Sequence, residues 1–127
     1  MAVRVLIVDD LSFMRDAIRG VVESAGFIVV GEAEDGAMGV DMYRKVRPDV
    51  VLLDITMPVM DGLSALRRIR SSDPGATVIM CSSMGQQTYI IKAIQSGARD
   101  FIVKPFRPER IVSAISKATS VYGKAGA

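Results

Sequence analysis

Val50-Val51-Leu52-Leu53-Asp54-Ile55-Thr56-Met57-Pro58 is the stretch on which the fold turns. The run from Val50 to Ile55 is short, apolar and without clean polar alternation, which is how a parallel strand covered on both faces reads. Asp54 stands alone at its end. Four further runs share this character: Val3 to Val8, Phe27 to Val30 extending to about Ala33, Thr77 to Cys81, and Phe101 to Val103.

Between the runs lie segments of helical period. In the first, Phe13, Ala17 and Val21 share a face with Met14 and Ile18 beside them. The later stripes are Val40, Tyr43 and Val46; Leu63, Leu66 and Ile69; Ile90, Ile91 and Ile94; and Ile111, Ile115, Ala118 and Tyr122. Gly36 and Gly39 weaken the second helix. Ser12 and Asp35 are candidate caps for the first two helices, and Pro48 ends the second. Asp61-Gly62 opens the third and Asp73-Pro74-Gly75 closes it. Gly97 follows the fourth, and Pro108 starts the fifth. Strands alternating with helices predict an α/β protein of (βα)₅ type, with a doubly wound parallel five-stranded sheet, right-handed crossovers and helices on both faces.

The 127 residues suffice for one domain with a proper core. We expect that domain to occupy residues 1–122, with 123–127 a frayed tail. Sixteen basic residues face fourteen acidic ones, and the net charge of +2 is scattered, which gives no basis for a nucleic-acid partner. The N-terminal apolar run meets two aspartates too soon for a signal peptide or a membrane span. A single cysteine, Cys81, fits a reducing cytoplasm. Without any histidine, a His-based metal site or a Ser-His-Asp triad is excluded.

In such a sheet, ligands bind at the carboxyl ends of the strands, near the switch in strand order. Asp9-Asp10 end the first strand, Asp54 the third, Ser82-Ser83 the fourth and Lys104-Pro105 the fifth. Three carboxylates gathered on one rim repel one another, and a hard divalent cation removes that cost. The absence of histidine argues for Mg²⁺ over zinc. Carboxylates also act as nucleophiles that form acyl phosphates, and Asp54 is the candidate. Lys104 would neutralise the phosphoryl oxygens, and the Ser82 hydroxyl would donate a hydrogen bond to them.

Val5-Leu6-Ile7-Val8-Asp9-Asp10, Asp54-Ile55-Thr56-Met57-Pro58 with Asp61-Gly62, and Gly97-Ala98-Arg99-Asp100-Phe101-Ile102-Val103-Lys104-Pro105-Phe106 resemble the receiver domain of bacterial two-component response regulators, in its stand-alone chemotaxis form. The resemblance covers essentially the whole chain. It implies a flavodoxin-like strand order 2-1-3-4-5 and a cis Lys104-Pro105 peptide. It further implies Asp54 as the phosphorylated aspartate and Asp9 and Asp10 as the acid pair for Mg²⁺, with Mn²⁺ able to substitute. The Thr56 main-chain carbonyl would be a further metal ligand. Ser82 and Phe101 would be the switch residues and Lys104 the lysine of the site.

The implied partners are a sensor histidine kinase as phosphoryl donor, an output protein and a phosphatase. The output protein would be a flagellar motor switch protein reading the face of the fourth helix, fifth strand and fifth helix, where Lys92, Gln95, Phe106 and Arg107 are candidate contacts. A phosphorelay intermediate or another regulatory role is the alternative output. By this resemblance Thr56 and Met84 occupy the positions that tune acyl-phosphate lifetime, and neither is a carboxylate or amide that could orient an attacking water, so slow self-dephosphorylation is expected. Two rival classes are weighed against this reading. A Mg²⁺-dependent aspartyl phosphatase would want an aspartate where Thr56 stands. A flavin binder would want small hydroxyl residues where Asp9-Asp10 stand.

Overall fold

The computed structural model describes residues 2–120. Its elements run β1 (Arg4–Val8), α1 (Ser12–Ser24), β2 (Ile28–Ala33), α2 (Gly36–Val46), β3 (Val50–Leu53), α3 (Gly62–Ser72), β4 (Val78–Ser82), α4 (Gln87–Gln95), β5 (Asp100–Val103) and α5 (Pro108–Thr119). All strands are parallel and lie in the order β2-β1-β3-β4-β5. Each expected strand is present, with ends displaced by one or two residues. Tyr122, placed on the last helical stripe, and the boundary at 122 lie outside the described residues.

Alternate side chains of the central strands feed two separate cores. Leu6, Val8, Val51, Leu53, Val78 and Met80 pack with Val40, Tyr43, Leu66 and Ile69 on one side of the sheet. Val5, Ile7, Val50, Leu52, Ile79 and Cys81 pack with Ile18, Val22, Ile111 and Ile115 on the other. Burial on both faces explains why these strands carry unbroken apolar runs.

Two helices turn differently from their sequence stripes. On α1 the buried residues are Ile18 and Val22, while Phe13 is 65% exposed and Ala17 is also exposed. On α4 only Ala93 is buried, and Ile91 and Ile94 face out. A stripe wider than the sheet can cover leaves part of itself in solvent. Ser12 is not a cap: Leu11 holds that position, and no side chain caps the helix. The Asp9 carboxylate accepts the Leu11 N–H at 3.0 Å instead.

Asp35 and Asp61 do cap α2 and α3, accepting from the Met38 and Ser64 N–H groups at 2.8 Å. Helix α2 stops at Val46, before Pro48, with Arg47 left-handed at φ 48°. The Arg4 guanidinium donates to the free Val46 and Arg47 carbonyls at 2.7 and 2.8 Å. This is a long-range strand-to-helix cap that no local signal in the sequence encodes.

Candidate functional site

The strand order reverses between β1 and β3, and the ends of those two strands carry the acids. The ladder continues one residue beyond the strands. Asp9 N–H donates to the Ala33 carbonyl at 3.0 Å, Asp54 N–H to the Val8 carbonyl at 3.0 Å, and Lys104 N–H to the Ser82 carbonyl at 2.9 Å. Backbone pairing therefore fixes where three of these side chains depart. Asp9 and Asp54 are buried and Asp10 is exposed. Each offers a carboxylate oxygen, and these lie within 4.8 Å of one another.

Lys104 answers this charge. Its Nζ donates to Asp9 Oδ2 at 2.6 Å and stands 3.5 Å from Asp54 Oδ2. The peptide that follows it, Lys104-Pro105, is cis. Asp54 Oδ1 accepts the Ile55 N–H at 2.8 Å. Burial pushes the Asp54 carboxyl above the usual carboxylate range. Lys104 opposes this, and the Asp9 charge adds to it. For Lys104 burial works against the charge. The hydrogen bond to Asp9 and the negative charges of Asp54 and Asp9 outweigh it, so its pKa is raised.

Ser82 is fully buried, and its hydroxyl oxygen accepts the Met84 N–H at 3.0 Å. Phe101 is 8% exposed, in the core to which Met84, Tyr89 and Ile90 add partly buried side chains. Its ring is thus already inside in this structure. Thr56 is exposed two residues beyond Asp54.

The donor set fits a hard divalent cation. It consists of carboxylate oxygens, and a cation placed among them offsets both the burial of the Asp54 charge and its repulsion by Asp9. The Cys81 thiol is pushed by burial up to about 12 and is not among the grouped ligand atoms.

Reading the sequence missed two residues beside this cluster. Arg15 of α1 donates to the Asp9 main-chain carbonyl at 2.6 Å and pairs with Glu32 of β2 at 3.1 Å. The available signal was Glu32 itself, a charge inside an otherwise apolar strand.

Comparison with known proteins agrees with this geometry. Residues 5–116 match the model of the response regulator receiver domain, and the chain belongs to that family, whose CheY-like members are signalling proteins rather than turnover enzymes. Within the family it is similar to the chemotaxis protein CheY of Bacillus subtilis, at 55% identity over 92% of this chain and 98% of that protein. It is 50% identical to CheY of Thermotoga maritima, over 94% of this chain and 99% of that protein. Among solved structures it resembles CheY in the CheX-CheY-BeF3-Mg complex from Borrelia burgdorferi. The TM-score there is 0.89 and the identity 36%, over 91% of this chain and 88% of that one. No helix among the described residues is long and apolar enough to cross a membrane.

Proposed function

We propose that this protein is a stand-alone receiver that accepts a phosphoryl group on Asp54 and signals by binding a partner, in chemotaxis. The observation that carries the proposal is the meeting of Asp9, Asp10, Asp54 and Lys104, drawn from three strand ends, in one pocket. An Asp54 carboxylate oxygen attacks phosphorus, the bond from phosphorus to the donor imidazole of a sensor histidine kinase breaks, and the imidazole leaves. Asp9, Asp10, Asp54 and the Thr56 carbonyl would hold Mg²⁺, or Mn²⁺ in its place. Bound there, the ion supplies positive charge against the phosphoryl oxygens. A relative crystallised with Mg²⁺ and beryllofluoride supports this choice of metal.

Lys104 begins on Asp9, with Asp54 within reach. Roughly two new negative charges on Asp54 draw the ammonium across. The Ser82 hydroxyl leaves the Met84 N–H for a phosphoryl oxygen, which moves the β4–α4 loop. Because Phe101 is already buried, the aromatic response is a repacking within the core rather than an entry from solvent. The change reaches the face of α4, β5 and α5, where Lys92, Gln95 and Arg107 are exposed, Phe106 is half-buried, and Ile91, Ile94 and Val103 add apolar area. A motor switch protein would read this face in the cytoplasm. A phosphatase would reset it, and the CheX partner of the Borrelia relative is a model for such a second partner. Thr56 and Met84 supply no carboxylate or amide to orient an attacking water, so the acyl phosphate should outlast seconds in the purified protein.

Incubation with acetyl phosphate and Mg²⁺, followed by intact-mass measurement, tests the reading. One phosphoryl group should appear on the wild type and none on Asp54→Asn. Lys104→Ala should still be phosphorylated but respond weakly in partner binding. Steady turnover of p-nitrophenyl phosphate would instead mark a phosphatase.

A further inference from the structure

Asp9 and Asp10 differ in how they are held. Asp9 is fixed at every polar atom: its N–H by Ala33, its carbonyl by Arg15, Oδ1 by the Leu11 N–H and Oδ2 by Lys104. Asp10 is exposed, and its side chain makes no hydrogen bond among the described residues. What directs Asp10 is therefore its backbone. The carbonyl that Arg15 grips belongs to the Asp9–Asp10 peptide, and that peptide is a rigid plane. Holding its oxygen sets the orientation from which Asp10 departs.

Arg15 is itself braced. Its Nε donates to Glu32 Oε1 at 3.1 Å, while Arg19 takes Glu32 Oε2 through Nε at 2.9 Å and Nη2 at 2.6 Å. The Arg15 and Glu32 side chains are 16% and 26% exposed, so the pair is largely withdrawn from solvent. Charge-assisted bonds in such a setting hold geometry better than a surface ion pair does.

We propose that Arg15, braced by Glu32, is a positioning residue for the metal site: it orients the Asp9–Asp10 peptide so that the Asp10 carboxylate is presented beside Asp54. This rests on the metal-binding reading above. It also carries a sign that separates it from a charge effect. A guanidinium near a cation site repels the cation, so loss of Arg15 as a mere charge would tighten binding. Loss of Arg15 as a strut weakens it.

The test is calorimetric titration of the full chain with Mg²⁺, with thermal melting of the metal-free protein recorded beside it. Arg15→Gln should weaken Mg²⁺ binding by roughly tenfold, the scale on which outer partners of metal ligands act. Glu32→Gln should weaken it less, and the double variant should be no worse than Arg15→Gln alone, because the two residues act as one unit. Arg15→Lys, which keeps a donor for the Asp9 carbonyl but loses the Nε bond to Glu32, should fall between wild type and Arg15→Gln.

An Arg15→Gln protein that binds Mg²⁺ as tightly as wild type, or more tightly, overturns the role. So does a lowered melting temperature with unchanged affinity, the mark of a purely structural residue. Should Arg15→Gln not fold, unchanged affinity in Glu32→Gln overturns it equally. Failure of the parent reading looks different: the wild type itself would not bind Mg²⁺, or Asp10→Asn would bind it undiminished.

Discussion

Asp54 shows what a buried carboxyl does to its own fold. Its carboxyl is raised above the ordinary range by burial, with Lys104 opposing and Asp9 adding to the shift. A carboxyl whose pKa is higher in the folded state than in the unfolded one destabilises the fold once pH passes the unfolded value. Without metal at neutral pH, Asp54→Asn should therefore melt at a higher temperature than wild type, and the difference should fade below the ordinary aspartate range. A lower melting temperature would show that the Lys104 contact outweighs the burial.

Asp73 is the opposite case. The Tyr43 hydroxyl donates to it at 2.6 Å, and this bond, first among several causes, lowers its pKa. Its contribution is complete above the unfolded aspartate value and is lost as pH falls through the depressed folded one. Tyr43→Phe should cost about 1 kcal/mol at neutral pH and flatten that acid limb, as measured by urea unfolding across pH.

At the scale of elements, the strands were legible and some helix faces were not. Burial on both sides leaves a strand no choice of composition, so Val50 to Leu53 and Val78 to Cys81 announce themselves. A helix needs only part of its apolar stripe inside, and Phe13, Ala17, Ile91 and Ile94 are the surplus. The acids and Lys104 were legible because they end strands, where the fold gives a polar residue one rim to occupy. Arg15 was not, because its role depends on a long side chain crossing from α1 to a backbone atom, which period and spacing do not record.

Two glycines also owe their places to packing. A Cβ on Gly36 would meet the Met60 carbonyl oxygen at 2.2 Å, and one on Gly62 would meet the Asp54 carbonyl oxygen at 1.8 Å. The loop after β3 is thus pressed closely against two helix starts. Gly62→Ala should cost roughly 2 kcal/mol or more by forcing that loop outward. It should also weaken Mg²⁺ binding, whereas removal of the Asp35 cap by Asp35→Ala should cost only about 1 kcal/mol and leave the metal alone. Chemical denaturation with parallel Mg²⁺ titration distinguishes the two.

The whole molecule is a scaffold that gathers acids it would otherwise keep apart. The buried Asp54 carboxyl beside Asp9 is a cost without a cation, and binding to the folded state alone would turn that cost into linkage. A hundredfold excess of Mg²⁺ over its dissociation constant should raise stability by about 2.7 kcal/mol. The rise should be absent in Asp10→Asn. The sheet also connects this pocket to the far face. Lys104, one residue beyond β5, is joined to Ser82 of the neighbouring β4 by its N–H bond, and Phe101 lies three residues before Lys104 on the same strand-to-loop path. A charge added at Asp54 has a short mechanical route to α4 and α5.

A crystal structure with Mg²⁺ and beryllofluoride bears on that route most directly. The ion should touch Asp9, Asp10, Asp54 and the Thr56 carbonyl, the beryllofluoride should sit on Asp54, and Lys104 should have crossed from Asp9 to its fluorine atoms. Beryllofluoride bound elsewhere, or Lys104 still paired with Asp9 beside an occupied Asp54, would contradict it.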